Sequence, residues 1–465
     1  MNSITVSEIL DATGGMLAAG SKEKSINGVK HDSRECTEGN LFVAVCGENS
    51  DGHDYIPDVI GAGAAAVMIS HEGEWFADAC AGSTAVIMVK DTIRAMGDLA
   101  KYYLDTLNIR KVAVTGSVGK TSVRDMIYYV LNEKYNCGRN MKNYNNDIGL
   151  PLSVFSFDSS TEIAVLEMGM SGFGEIDRLA EIVKPDVGII TNIGVSHIEK
   201  LGSRDGIFKA KMELADHLES EGVLIYASGD KLTRESTAGN YSRISVGKQP
   251  DDDYMISEID DKGIEGIEFT LKRRGRKSRI TIPVPGRHNA VNSSIAIAVG
   301  DYFGVSEEQA LCGLAKTKLT GRRLKLLKGR QLNVIDDTYN ASTDSMKSAL
   351  EVLERTSAPD GKSVRKIAIL GDMFELGEES RSEHRKVGEF AGGLDIDLLI
   401  AVGDDAGEIC AGAQAKGLTS IHFPKKEDFC EKIGALTKKG DLILVKGSRG
   451  MKMEQIVEKL IEYQE

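Results

Sequence analysis

One short segment constrains the fold of this chain more than any other. Residues 111–115 form an apolar run, Lys-Val-Ala-Val-Thr, and residues 116–122 read Gly-Ser-Val-Gly-Lys-Thr-Ser. This order predicts a strand, a tight turn and the start of a helix, in which backbone N–H groups and the helix N-terminus face a phosphate. Lys120 is expected to reach the β and γ phosphates of a nucleotide, and the Thr121 hydroxyl is expected to bind Mg²⁺.

The predicted phosphate loop is shorter than the common form. That form has a glycine six positions before the lysine, where this chain has Val114, and Gly116 and Gly119 bracket the turn instead. A structural turn that happens to contain glycine is the alternative, but the coincidence of strand, Gly-Lys-Thr and helix favours nucleotide binding. The expected nucleotide-binding residues of this loop are Gly116, Ser117, Val118, Gly119, Lys120, Thr121 and Ser122.

Length, charge and cysteine usage set the class of protein. The 465 residues exceed one ordinary core and predict about three domains. The net charge of −13 argues against a nucleic-acid partner. No apolar run approaches the ~18 residues of a membrane helix, and no signal peptide is visible. The seven scattered cysteines contain no Cys-x-x-Cys pair, so we expect a cytoplasmic protein without a disulfide framework or a zinc site.

Hydrophobic periodicity divides the chain into three predicted α/β domains. Residues 1–89 form a small α/β unit, and residues 90–319 alternate strands and helices, which predicts a mostly parallel sheet with helices on both faces. Hairpins are expected at 253–284, and residues 320–465 predict a Rossmann-like doubly wound sheet. Strands are predicted at 41–45, 65–69, 163–167, 186–191, 222–226, 334–335, 367–370, 398–402 and 442–445, and third-domain helices near 344–355, 381–392, 405–416 and 450–463.

Two polar side chains follow strands of the predicted central sheet, where ligands bind in such folds. Glu167 ends one strand; a helix cap is the ordinary interpretation, but a phosphate loop in the same sheet favours a Mg²⁺ ligand. His197 follows another strand, and beside Glu167 and the phosphates it becomes a candidate ligand of a second metal ion rather than a structural histidine.

Three further segments leave their roles open. Lys211 lies on a predicted helix, for which a solvated face is the simpler interpretation. Asn289 and Asn292 share one helix face, where they would either contact an adenine edge or cap the helix. Asp336 and Asp337 follow a strand, and near a phosphate site such acids orient a lysine, a metal-bound water or a ribose.

Together these segments resemble the Mur ligase family, the ATP-dependent amide ligases of peptidoglycan precursor synthesis. The resemblance runs through nearly the whole chain, and Gly-Asp-Met-x-Glu-Leu-Gly at 371–377 is similar to the members that add D-alanyl-D-alanine to UDP-N-acetylmuramoyl-tripeptide. The other segments that carry it are Asp32-Ser33-Arg34, residues 41–47, Asp51-Gly52-His53, residues 143–151, Glu167-Met168-Gly169, Gly286-Arg287-His288-Asn289, residues 336–341 and residues 446–451.

The resemblance implies a mechanism and its catalytic residues. The peptide carboxylate attacks the γ phosphate of ATP, and the amine of D-alanyl-D-alanine then displaces phosphate from the acyl phosphate. Lys120, Glu167, His197 and Lys211 would be catalytic. Thr121 and Glu167 would hold one Mg²⁺ ion, and His197 and Lys211 a second. Because a lysine at the position of Lys211 is carbamylated in this family, we expect an N6-carboxylated lysine there.

The resemblance also assigns the binding residues. For ATP, in addition to the loop, they are Asn289, Asn292, Arg322 and Asp337. We expect a monomer whose first domain binds the UDP end of the muramyl peptide and whose third domain binds D-alanyl-D-alanine. The expected substrate-binding residues are Ser33, Arg34, Gly47, Asp51, His53, Asn145, Asn146, Tyr339 and Asn340.

One departure from the family pattern affects the acceptor side. The usual Asn-Ala-Asn-Pro is replaced by Asn-Ala-Ser-Thr at 340–343, so the proline that would begin the next helix is missing. Because serine and threonine are good helix caps, we expect them to replace it.

Other functions make different demands on the sequence. The ligase that adds the third muramyl-peptide residue would carry an Asp-Asn-Pro-Arg-like motif, and a folylpolyglutamate-synthase-like ligase would lack the uridine-binding first domain. A GTPase-type switch would need an Asn-Lys-x-Asp signature, which this chain does not contain. A nucleotide-binding subunit that has lost its activity is disfavoured because Lys120, Glu167, His197 and Lys211 are all present.

Overall fold

The described residues fold into two compact units. A computed structural model describes residues 1–141, 143–194, 198–236, 239–357 and 364–463. One unit comprises 1–114, 135–188 and 213–222, and the other comprises 115–134, 189–212 and 223–465. None of the helices in these described ranges combines the length and the apolar content that a membrane crossing requires.

The N-terminal part of the first unit is built on a five-stranded sheet. Its elements are β1 (Ile4–Thr5), α1 (Val6–Thr13), β2 (Met16–Ala19), β3 (Ser25–Ile26), β4 (Gly28–Lys30), β5 (Asn40–Val43), α2 (Ile56–Gly61), β6 (Ala66–Ile69), α3 (Phe76–Ala81) and β7 (Ala85–Met88). The strand order is β2-β7-β6-β5-β4. Strands β4 to β7 run parallel, and β2 is an antiparallel edge. Strands β1 and β3 form a separate antiparallel pair.

The middle of the chain alternates helices with strands. Its elements are α4 (Thr92–Thr106), β8 (Arg110–Thr115), α5 (Lys120–Leu131), β9 (Cys137–Arg139), α6 (Gly149–Val154), β10 (Ile163–Glu167), α7 (Glu175–Val183), β11 (Val187–Ile190), α8 (Ile198–Leu201), α9 (Arg204–Met212), β12 (Val223–Ala227), α10 (Lys231–Glu235), β13 (Ser242–Gly247), β14 (Tyr254–Asp261), β15 (Ile267–Arg273), β16 (Arg276–Ile282), α11 (Asn289–Tyr302) and α12 (Glu307–Ala315).

The parallel pairing of β10 with β8 determines where Glu167, the last residue of β10, lies. In the first unit β8, β10 and β9 lie side by side and run parallel, and the register sets Glu167 opposite Val114. Val114 lies two residues before Gly116, so Glu167 ends its strand where β8 leads into the predicted phosphate loop.

Strands β12 to β16 lie in the second unit. Strands β12, β13 and β14 run parallel, whereas β14, β15 and β16 are joined as antiparallel hairpins. These are the hairpins predicted at 253–284, and the turn between β15 and β16 is the predicted Arg274-Gly275.

The C-terminal part is a six-stranded sheet. Its elements are β17 (Lys325–Lys328), β18 (Asn333–Asp337), α13 (Thr343–Arg355), β19 (Lys366–Gly371), α14 (Ser380–Ala391), β20 (Leu398–Val402), α15 (Gly407–Ala415), β21 (Ser420–Phe423), α16 (Lys426–Cys430), α17 (Ile433–Leu436), β22 (Leu442–Lys446) and α18 (Glu454–Glu462). The order is β17-β18-β22-β19-β20-β21, parallel except for the antiparallel edge strand β17.

Both faces of this sheet are buried, as a doubly wound sheet requires. Alternate residues of β19 enter different cores: Ala368 and Leu370 pack with α13, α14 and α15, whereas Ile367 and Ile369 pack with α18 and neighbouring apolar residues. Because successive side chains of a strand point to opposite faces and both faces are buried, consecutive residues in the middle of such a strand are apolar. This explains the continuous apolar runs from which the strands were predicted.

The predicted start of α13 is confirmed, with Thr343 in place of the family's proline and Ser342 in place of the asparagine before it. Ser342 precedes the helix, and its backbone N–H donates to Ser345 Oγ over 2.9 Å. Thr343 takes the first helical position, and its hydroxyl donates to the Glu383 carboxylate on α14 over 2.5 Å. The threonine thus ties α13 to its neighbour.

Close helix packing yields a stability prediction. An added Cβ at Gly388 in α14 would lie 1.9 Å from the Ile409 carbonyl oxygen of α15, which is backbone and has no freedom to rotate away. We expect Gly388→Ala to destabilise the protein by about 1–3 kcal/mol and to lower its Tm in scanning calorimetry. Gly61→Ala is the control, because an added Cβ there meets nothing within 4 Å. Equal Tm values for the two variants would contradict the packing.

Candidate active site

The turn of the predicted phosphate loop, residues 116–119, and the helix α5 that follows it lie in the second unit. Gly119 has a φ of +86°, and an added Cβ at Gly116 would lie 1.9 Å from Thr191 Oγ1. Both positions therefore need glycine. Gly119 has a left-handed backbone, and Gly116 is closely approached by Thr191 at the end of β11.

The residues after β11 hold the loop in place. Asn192 Oδ1 accepts from the backbone N–H groups of Ser117 and Val118 over 3.0 and 2.8 Å. Thr191 Oγ1 donates to the Val118 carbonyl over 2.6 Å, and the Gly194 N–H donates to Ser117 Oγ over 2.9 Å. The loop is thus shaped by side chains before a phosphate enters it.

Lys120 folds back over the loop. Its ammonium donates to the Gly116 carbonyl over 2.8 Å. A carbonyl is a weaker partner for an ammonium than a phosphate oxygen is. A phosphate bound in the loop would therefore compete with the Gly116 carbonyl for the Lys120 ammonium.

The arginine that reaches the loop is Arg323 rather than Arg322. Arg323 donates to Thr121 Oγ1 over 3.1 Å, and its guanidinium lies 4.1 Å from the centre of the Tyr339 ring. Arg322 is instead paired with Asp336 over 3.1 Å and with Glu458 over 3.3 Å. The sequence pattern, which named Arg322, does not distinguish two consecutive arginines.

Helix α5 also anchors the segment that leads to the third domain. Arg124 and Asp125 are fully buried and paired over 2.7 Å. The Thr320 N–H donates to Asp125 Oδ2 over 2.6 Å, and Arg124 donates to Thr320 Oγ1 over 3.1 Å. Thr121, Arg124 and Asp125 share one face of the helix, so one face contacts both Arg323 and Thr320.

The two asparagines predicted on one helix face are hydrogen-bonded to each other. Asn292 donates to Asn289 Oδ1 over 2.7 Å, and Asn289 donates to the Pro285 carbonyl over 2.6 Å. An added Cβ at Gly119 would lie 3.4 Å from Asn292 Oδ1, so this amide adjoins the phosphate loop. Asn292 therefore lies beside the predicted phosphate loop, and Asn289 orients the Asn292 side chain through a hydrogen bond.

Asp337 lies in a buried ion pair with a lysine that sequence reasoning left out of the site. Lys446 Nζ is 2.6 Å from Asp337 Oδ2 and donates to the Asn340 carbonyl over 2.9 Å. Asn340 Oδ1 in turn accepts from the Arg449 N–H. Lys446 ends β22 opposite Asp337 of β18, and this parallel pairing of two distant strands brings the two side chains together.

Lys211 is buried at the end of α9 with 1% of its surface exposed. Burial and the positive charge of Lys120 hold the pKa of its amine well below the usual range for lysine. The sequence-based preference for a solvated face was wrong for Lys211, whereas Lys209 on the same helix is exposed.

In the first unit Glu167 is buried and held by asparagines. Asn145 Nδ2 donates to Glu167 Oε1 over 2.9 Å, and the Glu167 N–H donates to Asn140 Oδ1 over 2.8 Å. Asn146, also expected to bind substrate, accepts over 2.8 Å from the N–H of Gly149, the first residue of α6. The carboxylate at this strand end is therefore a fixed, oriented group.

The residues expected at the UDP end lie on two turns of the first domain. Arg34 forms two hydrogen bonds to Asp32, over 2.9 and 2.6 Å, and its side chain is 86% exposed. Ser33 begins the short helical turn that contains Arg34. On the second turn the Gly47 N–H donates to the Ser50 carbonyl, and Asp51 caps the turn that contains His53.

Several side chains of the two units have the chemistry that a magnesium nucleotide requires. Thr121 and Glu167 offer hydroxyl and carboxylate oxygens, which Mg²⁺ prefers. Among the described residues, the buried Nε of Arg323 has no hydrogen-bond partner, so it remains available to an anion. Each group taken by itself has the chemistry that this ligand requires, while His197 lies outside the described residues.

The two arginines can be separated experimentally. Arg323→Gln should weaken ADP binding about 10-fold or more in calorimetric titration, because a charged hydrogen bond contributes roughly 1.5–3 kcal/mol. Arg322→Gln should leave the affinity for ADP within about twofold, because its guanidinium is paired with Asp336 and Glu458 rather than with Thr121. A larger loss for Arg322→Gln than for Arg323→Gln would contradict this assignment.

Comparisons with known proteins cover the three domains in turn. Three family descriptions match: Mur ligase family, catalytic domain, at residues 25–104; Mur ligase middle domain at 114–300; and Mur ligase, glutamate ligase domain, at 322–449. The UDP-N-acetylmuramoyl-tripeptide--D-alanyl-D-alanine ligase of Bacillus subtilis strain 168 is 40% identical over 98% of each chain.

Solved structures agree with these matches. A crystal structure of MurF from Acinetobacter baumannii has a TM-score of 0.90 with 29% identity and covers 100% of both chains. MurF from Thermotoga maritima in complex with ADP has a TM-score of 0.80 with 26% identity, over 93% of this chain and 96% of that one. The predicted three-domain α/β fold is confirmed, and this chain belongs to the Mur ligase family.

Proposed function

We propose that this chain joins D-alanyl-D-alanine to UDP-N-acetylmuramoyl-tripeptide while ATP is converted to ADP and phosphate. The observation that carries the proposal is the glycine-bracketed loop, with Lys120 folded over it and Arg323 on Thr121. It lies in a chain that matches a ligase of this activity over 98% of its length.

The chemistry follows from the poor reactivity of a carboxylate toward amines. A carboxylate oxygen of the peptide attacks the γ phosphorus, and ADP leaves. The amine nitrogen of D-alanyl-D-alanine then attacks the acyl carbon and loses a proton, and phosphate leaves as the C–O bond breaks. Such catalysis consists of positioning and charge neutralisation, for which Lys120 and Arg323 lie at the loop.

We assign Thr121 and Glu167 to a first Mg²⁺ ion, and His197 with Lys211 to a second. When bound, Mg²⁺ would neutralise phosphate charge. Lys211 becomes a suitable oxygen ligand once its amine nitrogen bonds to the carbon of CO₂ and a proton leaves to water. The reaction requires a neutral amine, and burial beside Lys120 favours that form. The resulting carbamate is negative, so its charge pairs with that of Lys120.

The substrate ends are assigned to different domains. The exposed guanidinium of Arg34 suits the pyrophosphate of the UDP end. We assign D-alanyl-D-alanine to the third domain, near Tyr339 and Asn340. All seven cysteines are free thiols, which supports a reducing cytoplasmic location. We further propose that the enzyme is a monomer, which light scattering on the purified protein tests.

A coupled assay tests the function directly. ADP release is measured with ATP, Mg²⁺, D-alanyl-D-alanine and UDP-muramyl-tripeptides that contain either lysine or meso-diaminopimelate. We expect release to require both substrates and to yield the pentapeptide by mass spectrometry. Release with a UDP-muramyl-dipeptide and a diamino acid, or with a folate and glutamate, would identify one of the alternative ligases instead.

Lys120 provides a prediction about catalysis. Lys120→Ala should lower the ligation rate on the order of 10³-fold, because the phosphates lose a positioned charge. Lys134→Ala is the control, since its ammonium donates to the Gly304 carbonyl rather than to the loop. A ligation rate for Lys120→Ala within a few-fold of the unmodified enzyme would contradict the assignment.

The carbamate is tested without measuring activity. Protein equilibrated with ¹³C-bicarbonate should show a carbamate resonance in ¹³C NMR that is lost in Lys211→Ala and kept in Lys209→Ala. The exposed Lys209 is the matched control on the same helix. Because protonation blocks the reaction with CO₂, the resonance should weaken as the pH falls. A resonance that survives in Lys211→Ala would place the carbamate elsewhere.

A further inference from the structure

Four side chains with metal-binding atoms meet in the first domain. Cys46, Asp51, His53 and His71 each present one such atom, and these atoms all lie within 4.8 Å of one another. Only Asp51 and His53 belong to the residues expected to bind the substrate, and neither Cys46 nor His71 has a role in the proposed reaction.

The fold fixes this cluster through its backbone. Cys46 and Asp51 are paired by an isolated antiparallel bridge across the turn that follows β5. Within that turn the Gly47 N–H donates to the Ser50 carbonyl, and the Gly52 N–H donates to the Val45 carbonyl, each over 2.9 Å. The cysteine and the aspartate are therefore presented side by side by a closed turn.

His53 orients Asp51 rather than binding a metal itself. The Ser70 N–H donates to His53 Nε2 over 3.0 Å, so this nitrogen carries the lone pair. The proton is then on Nδ1, which lies 2.6 Å from Asp51 Oδ1. His53 is 1% exposed, and its ring lies against that of His71, tilted by 34° with 3.8 Å between the centroids. The hydrogen bond from His53 therefore fixes the orientation of the Asp51 carboxylate beside Cys46 and His71.

The remaining three groups have the spacing of metal ligands. Cys46 Sγ is 3.4 Å from Asp51 Oδ1, and His71 Nε2 is 3.4 Å from Asp51 Oδ2. Two ligands on a tetrahedral Zn²⁺ ion are about 3.3–3.8 Å apart, since the bonds are ~2.0–2.3 Å long. Each of the two outer ligand atoms is therefore at ligand spacing from one oxygen of the Asp51 carboxylate. Because the ligand atoms of the cluster all lie within 4.8 Å of one another, a small movement of the side chains brings all three groups onto one ion.

We propose that Cys46, Asp51 and His71 bind one zinc-class divalent cation, with a fourth position open to water or to an anionic oxygen. A set of thiolate, imidazole and carboxylate is that of Zn²⁺, whereas Mg²⁺ and Ca²⁺ prefer oxygen alone. Cys46 is exposed and the His71 side chain is 49% exposed, so the ion can reach the site from solvent.

Spacing rules miss such a site for a definite reason. These rules look for ligands that lie close together in the sequence, such as Cys-x-x-Cys or His-x₃-His pairs. In this cluster Cys46 and Asp51 lie on the turn after β5, whereas His71 follows β6. Parallel pairing of β5 with β6 brings these two strand ends together.

Cobalt substitution of the full chain tests the proposal. Co²⁺ bound to a thiolate gives a sulfur-to-metal charge-transfer band in the near ultraviolet, and binding of Co²⁺ by oxygen ligands elsewhere gives none. We expect the band to saturate at one Co²⁺ per chain, to be abolished by added Zn²⁺ and to persist in millimolar Mg²⁺. Cys46→Ser should abolish it, and His71→Asn should weaken Co²⁺ binding at least about 10-fold.

The controls distinguish a built site from a reactive thiol. Cys312→Ser, at another exposed cysteine, should keep the band and its affinity. Zn²⁺ should raise the Tm of the unmodified chain and have a smaller effect on His71→Asn, whose fold is checked by circular dichroism. No charge-transfer band, a band that survives in Cys46→Ser, or an unchanged affinity in His71→Asn would each overturn the proposal.

Discussion

A buried ion pair on α5 is the constraint on which the arrangement of the second unit depends. Arg124 and Asp125 have no exposed surface, and removal of two charges from water is favourable only when each finds close polar partners. Thr320 supplies two of these contacts, with its N–H and with its hydroxyl. The segment that enters the third domain is therefore fixed to the helix that begins at the phosphate loop, one turn after Thr121.

Charge in this site is arranged locally, against an overall charge of −13. Lys120, Arg323 and the start of α5 lie at the loop, and Lys446 is neutralised by Asp337. Lys211 is the exception, because the charge of Lys120 and its own burial oppose an ammonium there. The proposed phosphate site thus contains a lysine favoured in its neutral form, which suits the proposed conversion to a carbamate.

The sequence predicted the elements and strand ends more fully than the contacts. Long apolar runs identified β10, β20 and β22, whereas β9 and β21 escaped because short edge strands carry little pattern. Glu167 was placed correctly at its strand end, since period and register follow from the chain. The choice between Arg322 and Arg323, and the pairing of Lys446 with Asp337, depend on packing between distant segments that no local pattern contains.

The short loop affects which groups are available to neutralise the negative charge of a bound phosphate. A loop with fewer residues offers fewer backbone N–H groups, and here those of Ser117 and Val118 donate to the Asn192 side chain. Asn192 thereby fixes the conformation of the loop through two hydrogen bonds to its backbone. In the proposed reaction, the positive charge that meets the phosphates then comes mainly from Lys120, Arg323 and the N-terminus of α5. Because Arg323 follows Thr320 by three residues, the anchor at Arg124 and Asp125 determines where one of those charges lies.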